Sequence, residues 1–318
     1  MTRGISNMNI FKTLTIDDYD IINQYVKESK QKACDYTAAN LVLWGEFYQT
    51  QYLIAEDMLI LKFKSDGIEQ FAYPIGGGSV VKAIDFMKEY CEENGIELRI
   101  SKVEPEMFEY LEQVNPGRFV IEYDRDSFDY VYRVEDLQKL SGKKYHGKKN
   151  HINKFKKEHP EWSYEPITAD NKKECIEMVK QWCIENGCCE DADKAAEICI
   201  VIRAILNMER LNLKGGLVRT EEEIVAITLG EEVDESTFVI HFEKAFARVQ
   251  GAYPIINQQF IENELMGYEF VNREEDLGIE GLRKAKESYN PIIMVEKGIV
   301  MEKETAALTG IKELEYAE

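Results

Sequence analysis

The pentapeptide HFEKA, His241 to Ala245, closes a β-rich run with an imidazole, a carboxylate and an ammonium, groups able to move protons or hold charge. Strand side chains alternate, which places His241 and Glu243 on one face and Phe242 and Lys244 on the other. Ligands of α/β proteins gather where strands end. Glu243 is therefore the candidate general base toward an attacking amine or hydroxyl, with His241 as its proton shuttle. A plain Glu243–Lys244 surface ion pair, of about 0–1 kcal/mol, is the alternative.

A second stretch, VNREEDLGIEGLRKAKESYNP from Val271 to Pro291, sets Gly278 and Gly281 about the start of a helix that carries Arg283, Lys284 and Lys286. Such a helix start offers unpaired N–H groups to an anion or an oxyanion. Arg283 and Lys286 share a face and Lys284 turns away. The alternative is an exposed helix whose charges follow the helix dipole. The third stretch is KLSGKKYHGKKNHINKFKKEHP. Eight Lys against one Glu between Lys139 and His159 give it +7, in a chain of formal net charge −20. With Ser141 as cap, a helix here puts Lys143, His146, Asn150, Lys154 and Lys157 on one side and Tyr145, Ile152 and Phe155 near another. The first row suits phosphates; a solvated linker helix is the alternative. YPIGGGS, Tyr73 to Ser79, has the order of a phosphate loop but lacks the Walker Lys-Ser/Thr and the dinucleotide spacing, and reads as a plain strand-to-helix turn.

These groups sit in a chain of 318 residues, 44% apolar, enough for two ordinary cores. The net acidity argues against coating a polyanion or an anionic membrane with the whole surface, so such a partner must meet a local patch. Seven cysteines, an odd number, follow an N-terminus without the apolar core of a signal peptide, which favours a reducing cytoplasm. Cys188 and Cys189 have no His or Cys at ligand spacing; they read as ordinary thiols, and no metal is expected. No apolar run approaches the roughly 20 residues of a transmembrane helix.

The elements that would hold these groups follow one grammar twice. After Thr15 as a cap come a helix, strands in QYLIAED, MLILKFKSD and EQFAYPI, a helix closing on Gly95, the strand IELRIS, the helix EPEMFEYLEQV and the strand RFVIEY. The second half gives helices in KKECIEMVKQWCIEN and ADKAAEICIVIRAIL, strands in GGLVRTE, EIVAITLGEE and STFVIHFEKA, and the helix YPIINQQFIENEL. The strand YEFVNRE, the helix GIEGLRKAKES and the strand IIMVEK complete it. The expected class is α+β, two α/β units divided as 1–136 and 137–318.

Across nearly the whole chain, YVYRVEDLQKLSGKKYHGKKNHINKF, HFEKA, the IN of YPIINQQF and NREEDLGIEGLRKAKESYNP together resemble the domain shared with the C-terminal, catalytic part of phosphatidylglycerol lysyltransferases, related in fold to Fem-type aminoacyltransferases. The resemblance implies two tandem GNAT-like (acyl-CoA N-acyltransferase-like) domains, with the probable site in the second, and transfer of an aminoacyl group from charged tRNA to a lipid hydroxyl. In GNAT enzymes the turn comparable to YPIGGGS holds the coenzyme A pyrophosphate. Position by position the resemblance marks Lys143, Lys144, His146, Lys148, Lys149, Asn150 and His151, then His241, Glu243 and Lys244, then Asn257. It also marks Asn272, Glu275, Asp276, Gly278, Gly281, Arg283 and Lys284. The lipid-modifying members carry a multi-span membrane region that these residues lack, so a small acceptor stands beside a lipid-like one. The expected chemistry is acyl or aminoacyl transfer to an amine or hydroxyl, with Glu243 as base and the Gly278 helix start plus Arg283 holding an oxyanion or donor phosphates. The basic helix, Lys154 included, would clamp a tRNA acceptor arm. The co-substrate is aminoacyl-tRNA or, alternatively, acyl-CoA in an N-acyltransferase; a binding module with the same fold and no chemistry is the second alternative.

Overall fold

The computed structural model describes residues 10–309 apart from 30 and 222. The N-terminal stretch in which no signal peptide was read lies, through residue 9, outside the described residues, as does the side chain of Cys189. In chain order the described strands are β1 (Lys12–Thr13), β2 (Gln51–Ala55), β3 (Met58–Ser65), β4 (Ile68–Ala72), β5 (Ile75–Gly76), β6 (Arg99–Val103), β7 (Phe119–Tyr123) and β8 (Asp129–Arg133). They continue with β9 (Ser163–Pro166), β10 (Lys214–Arg219), β11 (Ile224–Glu232), β12 (Thr237–Ala245), β13 (Phe270–Asn272), β14 (Ile293–Val295) and β15 (Gly298–Glu302). They form two sheets, and helices accompany both: the α+β class read from the sequence.

The first compact unit comprises the described residues of Met1–Gln31, Trp44–Arg125 and Glu296–Glu318. Its sheet runs β1-β2-β3-β4-β6-β15-β7, with β5 beside β3. Thr15 caps its first turn in a reciprocal box with Asp18. The helix Val80–Asn94 buries Ala83, Ile84, Met87 and Cys91, one stripe at helical spacing, and Gly95 ends it at φ 66. The three glycines before it have a steric reason. A Cβ on Gly78 would stand 2.2 Å from the Glu56 carbonyl oxygen, and one on Gly77 2.7 Å from an Asp57 carboxylate oxygen. They let this turn pack against the β2–β3 hairpin, the plain-turn reading of YPIGGGS.

The second unit comprises Lys32–Leu43 and Asp126–Val295. Its sheet runs β14-β8-β13-β12-β11-β10-β9. β11 is buried from Ile224 through Glu231, as a strand covered on both faces should be. Glu243 meets Asn257 of the helix Ala252–Glu264, whereas Lys244 meets Glu197 of the helix Ala192–Leu206 and stacks on Trp182 of Lys172–Glu185. Successive side chains thus reach helices on opposite faces.

The two units divide the chain at 125/126, where 136/137 was expected, and Lys32–Leu43 and Glu296–Glu318 each lie apart from their sequence neighbours. The cause is strand pairing: β8 bonds β13 and β14, and β15 bonds β6 and β7. The basic helix also starts later than Ser141 would set it. Gly142, at φ 86, leads a 3-10 turn over Lys143–Tyr145, and the α-helix spans His146–Glu158. Tyr145, Ile152 and Phe155 are its buried side, as the spacing predicts.

Candidate active site in the second unit

β12 pairs with β13 in parallel over three residues only, Thr237–Val239 against Phe270–Asn272, and then continues to Ala245. The residues after β13 approach this free length of β12. On its other edge β12 carries a one-residue bulge. Leu229 faces Phe242 and Gly230 faces Ile240, which leaves His241 as the extra residue. The bulge interrupts the alternation on which a shared face for His241 and Glu243 rested, and the two side chains enter separate networks.

Glu243 lies across the ladder from Thr228. One carboxylate oxygen accepts from Arg273 Nη2 at 2.9 Å and the other from Asn257 Nδ2 at 3.4 Å. The Arg273 guanidinium sits 4.9 Å from the Tyr289 ring centroid and 5.8 Å from that of Tyr132. Arg273 Nη1 and Thr228 Oγ1 are buried with no hydrogen-bond partner. Unpaired buried donors of this kind are costly and rare, and they mark places where a ligand oxygen fits. Lys148 completes the group from the basic helix, its Nζ 4.0 Å from the Tyr289 ring centroid. Burial and the neighbouring Arg273, opposed by Glu243, push its ammonium down to about 8.

His241 bridges two other carboxylates, Nδ1 to Glu274 at 2.7 Å and Nε2 to Glu231 at 2.9 Å. Burial alone would lower its pKa, but these two hydrogen bonds outweigh it and raise it to about 10, so the ring is an imidazolium. Burial in turn holds Glu274 above the usual carboxylate range despite His241. Glu231 also accepts from the N–H groups of Ala39 and Asn40 at the start of the helix Ala38–Trp44, fixing that segment. With both ring nitrogens engaged, His241 has none left to relay a proton for Glu243. Lys244 is likewise occupied, by Glu197 at 2.7 Å.

The Gly278 loop is built differently from an anion cradle. Buried Asp276 accepts from Tyr130 Oη at 2.5 Å, from Arg283 Nε and Nη2 at 2.8 Å each, and from the Gly278 N–H at 2.9 Å. Arg283, then Tyr130 and that N–H, hold its carboxyl well below the usual range. Arg283 also grips Asp126 at 2.5 Å. The guanidinium and the N–H that the spacing offered to an oxyanion are therefore bound within the loop, because the acidic residues just before the helix lie within their reach. Lys284 pairs with Glu280 at the surface, and Gly281 is exposed on the same helix. Lys286, by contrast, is buried and donates to the carbonyls of Arg273 and Glu274, anchoring the stretch that carries Arg273.

The other marked positions are supports. Asn272 Nδ2 donates to Asp129 at 2.9 Å while its Oδ1 accepts from the Glu274 N–H at 2.8 Å, and Glu275 accepts from Cys34 Sγ at 3.4 Å. Among the described residues, the group close enough to share a metal ion is Cys34, Asp35 and Asp129. There the Asp129 carboxylate already takes the Cys34 N–H at 2.7 Å. On the basic helix and the turn before it, Lys143, Lys144, His146, Lys149, Asn150, His151 and Lys154 are all exposed. Sequence reasoning missed Arg273, Thr228 and Tyr289. The one signal for Arg273 was a single cation set among the carboxylates of NREED.

Two sheets, each with one parallel strand pair, β4–β6 in the first and β12–β13 in the second, make this an α+β protein. The chain belongs to the family described as phosphatidylglycerol lysyltransferase, C-terminal, which matches residues 26–299. A conserved protein of unknown function from Bacteroides thetaiotaomicron is 36% identical, with TM-score 0.87 over 93% of this chain and 100% of that one. L-PGS from Bacillus licheniformis shares the fold at 15% identity and TM-score 0.64, over 97% of this chain and 100% of that one. The C-terminal domain of a putative lysylphosphatidylglycerol synthetase from Agrobacterium fabrum does so at 13% and 0.64, over 93% and 95%. No curated protein matches the sequence. Among the described residues no helix is long and apolar enough to cross a membrane.

Proposed function

We propose that this chain transfers an acyl or aminoacyl group from an activated donor, charged tRNA by preference, to an amine or hydroxyl, and that the reaction takes place at Glu243 and Arg273. The carrying observation is the pair of buried, unpartnered groups, Arg273 Nη1 and Thr228 Oγ1, beside the Glu243–Arg273 ion pair. A donor carbonyl oxygen placed beside Arg273 Nη1 would take its free hydrogen bond, and the positive charge would favour the oxyanion of the tetrahedral intermediate. Arg273 thereby replaces Arg283 in the role first given to the latter, and Glu243 orients Arg273. The exposed Lys143, Lys144, Lys149, Lys154 and Lys157 would take the phosphates of the donor, as supported by the +7 of the segment from Lys139 to His159 in an acidic chain.

A coenzyme A donor is the second reading. The length of β12 beyond Val239, unpaired with β13, presents backbone groups that could receive an amide-bearing arm. A gel shift with tRNA separates the two. Binding at low salt that weakens steeply as salt rises is expected, with Lys143→Glu, Lys149→Glu and Lys157→Glu together flattening the salt slope by about 2–3. No shift at low salt would remove the tRNA donor. A rise in melting temperature with acetyl-CoA would install the second reading.

A further inference from the structure

Among the amines of the second unit, Lys148 is set apart by its surroundings. Lys244 is paired with Glu197, Lys286 donates to two carbonyls, and Lys284 holds Glu280 at the surface. Lys143, Lys144, Lys149, Lys154 and Lys157 face solvent, and Lys156 lies over Trp162. Lys148 is half-buried, makes no hydrogen bond or ion pair among the described residues, and rests on the ring that Arg273 also touches. We infer that Lys148 is the proton carrier of the transfer reaction, rather than a phosphate contact of the basic helix. This rests on the reading of the Glu243–Arg273 site as the place of transfer.

The alternative groups are already engaged in hydrogen bonds. Glu243 has one oxygen on Arg273 and the other on Asn257, and His241 has both nitrogens on carboxylates. The charged and titratable groups that face Lys148 are Arg273 from the stretch after β13, Glu243 from β12, and Tyr289 after the helix Glu280–Glu287. The ring face of Tyr289 favours the ammonium. Burial and Arg273 oppose it and prevail, so that a useful share of the amine is neutral near pH 8.

In the step, the acceptor nitrogen or oxygen forms a bond to the acyl carbon while its proton passes to the neutral Nζ of Lys148. The carbonyl electrons move onto the oxygen beside Arg273 Nη1. Collapse of the intermediate breaks the bond from the acyl carbon to the donor's ester oxygen or thioester sulfur, and the Lys148 ammonium returns the proton to that leaving atom. No electron is gained or lost and no further reactant is required.

Two measurements test this. Reductive methylation of the lysines with labelled formaldehyde, followed by NMR titration, needs no substrate. One dimethyl-lysine signal is expected to titrate near pH 8 and to be missing in Lys148→Arg; its titration with the bulk of the lysines would overturn the inference. With donor and acceptor supplied, kcat is expected to rise with pH, half-maximal near pH 8, to a plateau above it. Lys148→Ala should lose about 100-fold or more and regain activity with added small primary amines, a rescue that a packing role would not give. Lys148→Ala within about 3-fold of wild type, with the same pH limb, overturns the role alone. A wild-type protein inactive with both charged tRNA and acyl-CoA overturns the transferase reading and the role with it.

Discussion

Replacing His241 by Gln tests the electrostatic centre of the second unit. The ring is 1% exposed and Glu231 6%, with bonds of 2.9 and 2.7 Å to Glu231 and Glu274. Removing the imidazolium leaves two carboxylates facing one amide, the case in which breaking a buried pair costs about 3–5 kcal/mol. The protonation equilibrium leads to the same range. A pKa raised from 6.5 to about 10 corresponds at pH 7 to roughly 4 kcal/mol. That contribution is complete below pH 6.5 and is lost as pH rises through about 10, so most of it is in force at neutral pH. For a unit of this size the melting temperature should fall by about 10 °C, and urea denaturation at pH 7 should show the free-energy loss directly. Lys284→Ala, which removes only an exposed pair with Glu280, should change stability by less than about 0.5 kcal/mol and serves as the comparison. A loss below about 1 kcal/mol in His241→Gln, or a ring that loses its second proton near pH 6.5 by NMR, would refute the reasoning.

Two further outcomes follow from packing. Tyr130→Phe deletes the 2.5 Å hydrogen bond to buried Asp276 and should cost about 1–3 kcal/mol in urea denaturation. Gly78→Ala, in the first unit, forces a Cβ to 2.2 Å from the Glu56 carbonyl oxygen and should lower stability by about 1–3 kcal/mol, seen as an earlier calorimetric transition.

The local grammar of this chain was legible. Thr15, Gly95 and the apolar stripe of Val80–Asn94 sit where cap chemistry and a 3.6-residue period put them. Alternation along β12 correctly separated Glu243 from Lys244. It failed at His241, since a bulge is a property of two strands together and neither sequence announces it. The same limit explains Arg283. Its spacing from Gly278 reads as an anion site, and only the folded loop brings Asp276 and Asp126 onto the guanidinium. Arg273 escaped notice because its ion pair with Glu243 joins residues 30 apart. The buried side of the basic helix was visible in Tyr145, Ile152 and Phe155, but the inward turn of Lys148 depends on Tyr289, far along the chain. Strands β8 and β15 are five residues each and carry nothing that names a partner.

Membership of β15 in the first sheet sets an order on biosynthesis. It lies between β6 and β7, which are translated nearly two hundred residues earlier. On the ribosome those two strands wait with an unfilled slot between them, each presenting a row of unsatisfied amides and carbonyls of the kind that recruits stray strands. A chain stalled before residue 298 would hold a first sheet without its sixth strand, however complete the second had become. Nascent chains should therefore depend on chaperone cover until β15 has emerged from the ribosome, and truncations that remove β15 should lower soluble yield through the first unit.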